Sequence, residues 1–499
     1  MADALFGIVA AIYVAILVAL AAFGVNFLWL TWTAIRGRSV APPAVTPTVW
    51  PPATVQLPIF NELYVAERLI DAACRLRYPG PLEIQVLDDS TDETVELVER
   101  VVARWRREGV DVRHIRRSDR DGFKAGALAH GLELASGEVL AIFDADFIPP
   151  AEFLLRTVPV LEADSGLAFV QARWGHANRD FSLLTQLQSL SIDGHMVIEQ
   201  FARWRAGVWF NFNGTAGVWR RSALVDAGGW SSATLTEDLD LSYRAFLRGW
   251  RAAFVRDMEC PAEIPASFGA YRRQQHRWAR GTFECARRHL GAIWRSQVPL
   301  SIKVNATAHL LGYGIHLLML AISLLYPLLL LLSVGHPQVL TVFGVIAVFN
   351  LTALAPGALF AIGQQQLGRR WWTALPRVVM LTVLGAGMMA NTARAAILAF
   401  RRQPGVFERT PKFGLEETPV DWLRLRYQPR VDGLVIVEIG LALLNATTAI
   451  AALTRGYWPI AIYAAIFACG LGASVSMTLG QALLARLPGR VLSGPATDP

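Results

Sequence analysis

Two aspartates spaced by one residue, Asp144 and Asp146, close an apolar run at 139–143. Such a run reads as a buried strand, and period 2 puts both carboxylates on one side. Two hard oxygen ligands at the carboxyl edge of an open α/β sheet suit Mg2+ or Mn2+ carrying a diphosphate; the alternative for an isolated Asp-x-Asp is a plain turn. A second pair, Asp88 and Asp89, suits the donors on a nucleoside's ribose and base edge, or else caps a helix. Lys124, in a Gly-flanked turn, is a point cation on a flexible stem that can follow a diphosphate, or a solvated surface lysine. The turn Asn213-Gly214-Thr215 is small and polar enough for the close approach of a ligand. Glu237 and Asp238 follow Thr236 at a helix start, where N-capping and the helix dipole would also account for acids. Gln274, Arg277 and Trp278 stand at i, i+3 and i+4 on one helix face. A guanidinium and an indole there can face an anion and a sugar ring, unless the helix lies on anionic lipid.

These residues need a scaffold that gathers them, and the chain offers one. Apolar strands at 54–58, 83–87, 112–115 and 139–143 alternate with helical periods at 66–73 and 94–106. This β-α-β-α order predicts a mostly parallel sheet with functional loops at the strands' carboxyl ends. Three such loops carry the polar groups: Asn61 and Glu62, Asp88 and Asp89, then Asp144 and Asp146. Neither G-x-G-x-x-G nor G-x-x-x-x-G-K-[ST] occurs, so a dinucleotide fingerprint and a P-loop are both excluded.

Composition places this scaffold beside a membrane. The chain of 499 residues is 53% hydrophobic, and the excess falls at the N-terminus and after about residue 300, leaving 54–290 with the mixture of a soluble domain. The net charge of +7 comes with arginines clustered beside apolar spans, as at a cytoplasmic membrane face and not as for nucleic acid. Four scattered cysteines with no C-x-x-C pair suggest neither a zinc site nor a disulfide framework. Residues 1–35 read as a transmembrane helix, since the apolar run 5–33 exceeds the ~20 residues a bilayer needs, and Arg36 and Arg38 then put the following chain in the cytoplasm. A Pro-rich linker, 36–53, separates it from the domain at 54–290. Residues 291–486 read as a transmembrane channel region with spans at 304–334, 338–362, 431–453 and 457–484, five spans in all with the first. The stretch 371–400 is expected to be interfacial or re-entrant, because crossing would put the seven Arg and Lys of 401–430 outside. Glu438 and Asn445, in the middle of a span, are expected to line a polar path. The tail, 487–499, is too short for a domain.

Taken in order, Asp-Asp-Ser (88–90), Asp-Ala-Asp (144–146), Thr-Glu-Asp (236–238) and Gln-Gln-His-Arg-Trp (274–278) resemble the motif set of processive inverting glycosyltransferases of the cellulose synthase superfamily. The runs Lys-Ala-Gly-Ala-Leu and Phe-Asn-Gly-Thr-Ala-Gly-Val-Trp-Arg are most similar to the plant cellulose-synthase-like mannan and glucan synthases. The resemblance implies an α/β GT-A (Rossmann-like) cytoplasmic domain inserted between transmembrane helices, a nucleotide-sugar donor, Mg2+ or Mn2+, and inverting transfer of a hexose. It assigns Asn61, Glu62, Asp88, Asp89, Lys124 and Asp144 to the donor, Asp144 and Asp146 to the metal, and Asn213, Gly214, Thr215 and Trp278 to the acceptor. It makes Asp238 the general base, with Glu237, Gln274, Arg277 and Trp278 beside it. The run 406–413 resembles the superfamily's gating loop, so Thr410 and Lys412 are expected to reach the diphosphate. The reading is a multi-pass cytoplasmic-membrane polysaccharide synthase using UDP-glucose or GDP-mannose to extend and export a β-glucan or β-mannan. Its partners would be the donor, the growing polysaccharide, the lipid bilayer and accessory export proteins, with no nucleic acid. A non-processive transferase making a glycolipid, similar to ceramide glucosyltransferase, is the alternative, and a non-catalytic transport component is disfavoured because every motif acid is present.

Overall fold

The computed structural model describes residues 2–37, 39–332, 351–401, 405, 409–415 and 432–484. The residues expected as the start of a span at 338–362, most of the loop 401–430 and the tail 487–499 lie outside those described.

The chain opens with α1 (Ala2–Gly37) and then builds β1 (Ala53–Ile59), α2 (Ala66–Cys74), β2 (Leu82–Asp88), α3 (Thr94–Arg107), β3 (Val112–Ile115), α4 (Phe123–Leu134) and β4 (Val139–Ile142). It continues with α5 (Phe153–Glu162), β5 (Leu167–His176), α6 (Leu183–Asp193), a π-helical stretch (Gly194–Gln200), α7 (Phe201–Arg205), β6 (Gly217–Arg220), α8 (Arg221–Asp226), α9 (Glu237–Leu247), β7 (Arg251–Ala262) and α10 (Phe268–Arg295). The seven strands form one sheet in the order β3-β2-β1-β4-β6-β5-β7. All neighbours are parallel except β6, which runs antiparallel to β4 and β5. Strands buried on both faces need apolar residues at every position, which is why Leu140, Ala141 and Ile142 follow one another without alternation.

The reversal of β6 has a consequence for position. The pairing of Ile142 with Gly217 brings the start of β6, and with it residues 213–216, to the same sheet edge as the carboxyl ends of β1, β2 and β4. Strand β7, parallel to β5, delivers Glu263 to that edge, and a bridge between Phe147 and Ala262 ties the two sides of the edge together.

Beyond α10 come α11 (Leu300–Leu310), α12 (Gly314–Leu332), α13 (Ala355–Gln366), α14 (Leu375–Gly387), α15 (Met389–Phe400), α16 (Leu434–Thr454) and α17 (Trp458–Leu484). Among the described residues, four helices are long and apolar enough to cross a membrane: α1, α12, α16 and α17. The stretch 371–400 forms two helices bent by 45° at a break. Two features differ from the sequence reading. The last turns of α1 are not held apart by the Pro-rich linker, because Leu30 and Ala34 are buried in the same apolar cluster as Phe201 and Trp219 of the sheet domain. Glu438 does not open onto a polar path; it is fully buried and pairs at 3.0 Å with Arg272 of α10, as a carboxylate among apolar helices requires. Asn445, also fully buried, donates to the carbonyl of Leu441.

Candidate active site

A cleft opens along this edge, lined by residues of the loops that meet there and by residues of α10. Asp144 and Asp146 lie on its floor, just past the end of β4, and both face lysines. Lys124, from the first turn of α4, sits 2.6 Å from Asp144 Oδ1 and 3.4 Å from Glu237 Oε1, and donates to the carbonyl of Gly214 at 3.0 Å. Burial alone would favour the neutral amine, but Asp144 and Glu237 hold Lys124 charged above the usual lysine range. Burial raises Asp144 above the usual carboxylate range, with Lys124 opposing and Asp146 reinforcing the shift. Asp146 is bonded to Lys412, which also donates to the carbonyl of Glu263. The cleft floor is thus an acid pair that demands cationic charge.

Opposite lies the start of α9. Thr236 is its N-cap by position, but its side chain does not cap; its hydroxyl faces Cys285 instead. The reason is crowding by α10, which crosses here at Gly281, where a Cβ would lie 2.5 Å from Thr236 Oγ1. That close crossing sets Gln274, Arg277 and Trp278 along the cleft beside Glu237 and Asp238. Asp238 accepts a hydrogen bond from its own helix, Leu239 N to Oδ1 at 2.8 Å. Burial, reinforced by Glu237 and opposed by Lys124, raises its pKa to about 7. Gly214, at φ +80°, lets the chain pass close by: a Cβ there would stand 2.8 Å from Asp238 Oδ2 and 3.2 Å from Lys124 Nζ.

Phe60, Asp89 and Arg120 line the cleft from the loops after β1, β2 and β3. Arg117 grips Asp89 through two bonds, Nε to Oδ1 at 3.0 Å and Nη2 to Oδ2 at 2.5 Å. Three of the expected residues sit behind the ligand surface and hold those in front. Asp88 is buried, bonded to His114 at 2.9 Å and to Ser90 N at 2.9 Å, so it stays below the usual carboxylate range although burial pushes the other way. Asn61 clasps Thr91 and Ser90, and the Thr215 hydroxyl accepts from Asp144 N at 2.9 Å. Non-glycine residues at positive φ, Asn61 (54°), Phe123 (51°) and Ala216 (54°), mark three of the loops that meet here, as strain at ligand sites commonly does.

Residues 409–415 cover part of the opening. Arg409 binds Glu62 through two bonds of 2.8 Å, and Thr410 and Lys412 line the cleft. Residues 406–408 of the expected gating run lie outside those described. Glu263, which sequence reasoning missed, anchors this segment: its carboxylate accepts the backbone N–H groups of Phe413, Gly414 and Leu415 at 2.8, 2.8 and 3.2 Å. Nothing in Pro261-Ala262-Glu263 signals that role, because the partners lie about 150 residues downstream.

Residues 51–281 match the profile described as glycosyltransferase like family 2. Glucomannan 4-beta-mannosyltransferase 9 of Arabidopsis thaliana is 46% identical over 239 residues, covering 47% of this chain and 45% of that protein. Glucomannan 4-beta-mannosyltransferase 1 of Oryza sativa subsp. japonica is 43% identical over 260 residues, covering 51% of this chain and 50% of that protein. The chain therefore spans about half the length of the relatives it matches. Among solved structures, the mannosyltransferase PcManGT from Pyrobaculum calidifontis, in complex with GDP-Man and Mn2+, shares the fold with a TM-score of 0.52 and 24% identity, covering 77% of this chain and 98% of that one. Residues 51–281 of this chain thus match the family 2 glycosyltransferase profile and lie on a GT-A-like mixed sheet.

Proposed function

We propose that the protein is a membrane-embedded inverting hexosyltransferase that takes mannose from GDP-mannose, or glucose from UDP-glucose, and adds it to the growing end of a β-linked mannan or glucan. The observation that carries this reading is Asp238: a carboxylate with a raised pKa, across the cleft from a lysine-paired acid pair. The relatives named for glucomannan mannosyl transfer and a neighbour of like fold bound to GDP-Man favour the mannosyl donor and a polymer product.

The acid pair fits a hard divalent cation. Among the described residues no three His, Cys, Asp or Glu side chains converge, so Asp144 and Asp146 would supply two ligands and diphosphate oxygens the others, as Mg2+ and Mn2+ accept. When bound, the cation neutralises charge on the departing diphosphate. Lys124 adds a point charge at the same place, and Arg277 reaches the anion from α10. The acceptor hydroxyl attacks the anomeric carbon from the face opposite the diphosphate. The new C–O bond forms as the bond to the diphosphate breaks, and Asp238 takes the hydroxyl proton. Glu237 keeps Lys124 in place, and Trp278 offers a flat face to the acceptor ring. The four apolar helices hold this cleft at a membrane, with the domain on the cytoplasmic side by the arginines at the end of the first apolar run and the product passing outward.

The test is direct. Purified full-length protein in sealed vesicles, given labelled GDP-mannose or UDP-glucose with Mn2+, should make long polymer that is protected from added glycanase. A single sugar on lipid, or no transfer from either donor, overturns the reading.

A further inference from the structure

The nucleoside end of the cleft contains an arginine that the reaction does not use. Three arginines stand in the segment between β3 and α4 that borders it, and two are consumed in shaping it. Arg116 bonds the carbonyl of Ser90, and Arg117 is saturated by Asp89 and the carbonyls of Asp121 and Phe123. Arg120 differs. Its guanidinium carbon lies 3.3 Å from the centre of the Phe60 ring and 5.1 Å from that of Phe123, flanked by aromatic walls. It lines the cleft, its Nε is buried without a hydrogen-bond partner, and among the described residues no ion pair engages it. Burial draws its pKa down, as expected of a guanidinium short of acceptors.

We infer that Arg120 reads the base of the donor and selects guanine. This rests on the nucleotide-sugar reading of the cleft and deepens it. A guanidinium presents parallel N–H groups in a fixed fork, so it is matched by two acceptors side by side on one flat edge. Guanine presents such a pair, O6 and N7. Adenine sets a donor beside N7, and uracil sets the N3–H donor beside O4, so each leaves one N–H of the fork facing a donor or nothing. The position agrees with the chemistry, because Arg120, Asp89 and Phe60 line the cleft from the loops after β3, β2 and β1, to one side of Asp144 after β4 in the strand order, where a nucleoside would lie when its diphosphate rests on Lys124. An aromatic wall also suits a flat purine better than a phosphate.

The experiment measures binding of GDP, IDP, 7-deaza-GDP and UDP to full-length protein with Mn2+, for wild type, Arg120→Ala and Arg120→Lys. The wild type should hold GDP and IDP about tenfold to a hundredfold more tightly than UDP or 7-deaza-GDP, which lacks the N7 acceptor. Both variants should bring GDP down to the level of UDP while UDP itself changes by less than about twofold; Lys keeps the charge but loses the fork. If GDP and UDP weaken together in Arg120→Ala while Arg120→Lys retains both, the residue is a phosphate contact and the inference is overturned. Equal wild-type affinity for GDP and 7-deaza-GDP overturns it as well. A wild-type preference for UDP overturns guanine selection yet leaves transfer from UDP-glucose standing, whereas no binding of any nucleoside diphosphate would sink the proposed function too.

Discussion

Asp238 and Asp240 stand two residues apart in the first turn of α9, yet they belong to different regions of the molecule. Asp240 points back into the domain, fully buried, and is held by His289 at 2.8 Å, Arg244 at 2.8 Å and Arg288 at 3.3 Å. Burial opposes its charge, but these partners bring its pKa below the usual carboxylate range. Asp193, at the joint between the sheet domain and α13, is similar: His176, Gln364 and Arg369 surround it and lower its pKa to about 2. The cleft acids are the reverse. Asp144 and Asp146 face lysines on flexible stems, and Asp238, with Lys124 and Arg277 opposing the shift, still keeps a raised pKa. An acid whose partners are complete and rigid holds the fold together. One that faces only flexible side chains across a cleft leaves room for a ligand or a proton.

The largest expected effect falls on the lysine-faced pair. Asp146→Ala should abolish transfer, and chelation of the wild type should do the same until Mn2+ or Mg2+ is restored, with the melting temperature nearly unchanged in both cases. Full activity in excess EDTA would remove the cation from the cleft and leave Lys412 as the permanent partner of Asp146. Next comes the contrast on α9. Asp238→Asn should lower turnover by about a hundredfold or more while nucleotide binding persists. Asp240→Asn should instead cost about 3–5 kcal/mol of stability, since three basic groups lose their buried counter-charge. If thermal denaturation shows the two variants equally unstable, the comparison fails.

Much of this contrast was open to sequence reasoning, but not all. The strands at 54–58 and 83–87 and the acids that follow them could be read because apolar residues alternate, Val55 with Leu57 and Ile84 with Val86, and the pattern ends abruptly where the loop begins. The types of Asp88, Asn61 and Thr215 were right for a polar edge, yet which side of a loop each faces depends on the turn, and the turn places them behind the ligand surface. Glu263, Arg409 and Arg120 carried no local signal, since each acquires its role from a partner brought close only by the tertiary fold. Glu438 was noticed for its polarity among apolar neighbours, but its partner Arg272 lies 166 residues away.

The pH profile sharpens the comparison with a smaller effect. A base must be ionised, so with Asp238 raised to about 7, kcat/KM should rise roughly tenfold per unit below that value and level off above it. The same raised pKa means that Asp238 stabilises the fold most when protonated, and that contribution is lost as pH rises through about 7. The depressed acids act the other way. The stability from Asp193 is present above the ordinary Asp value of about 3.9 and lost as pH falls toward its folded value of about 2. Activity should therefore change across neutral pH where Asp193 and Asp240 contribute no change in melting temperature. A flat kcat/KM across that range would take the base role away from Asp238.

The smallest effect belongs to the residue that sits between the two classes. Glu62 lines the cleft, yet Arg409 engages both its oxygens at 2.8 Å, so by the count of partners it belongs with Asp240. Its pKa disagrees, because burial raises it to about 7 despite Arg409. The difference lies in where the partner comes from. Asp240 is held by α9 and by α10, two helices packed on each other, whereas Arg409 is carried by a loop segment tied down through Glu263 and not by a packed helix, so parting the bond unpacks less. Glu62→Gln should thus lower donor affinity by only a fewfold, about the 1 kcal/mol of a bidentate bond partly replaced by an amide, and should leave the melting temperature where it was. Donor KM and thermal denaturation, measured on that variant beside Asp240→Asn, decide the point. A fall in stability as large as that of Asp240→Asn would mean that the segment over the cleft is as fixed as the helices, and that completeness of partners alone, not their mobility, separates the acids that act from the acids that hold.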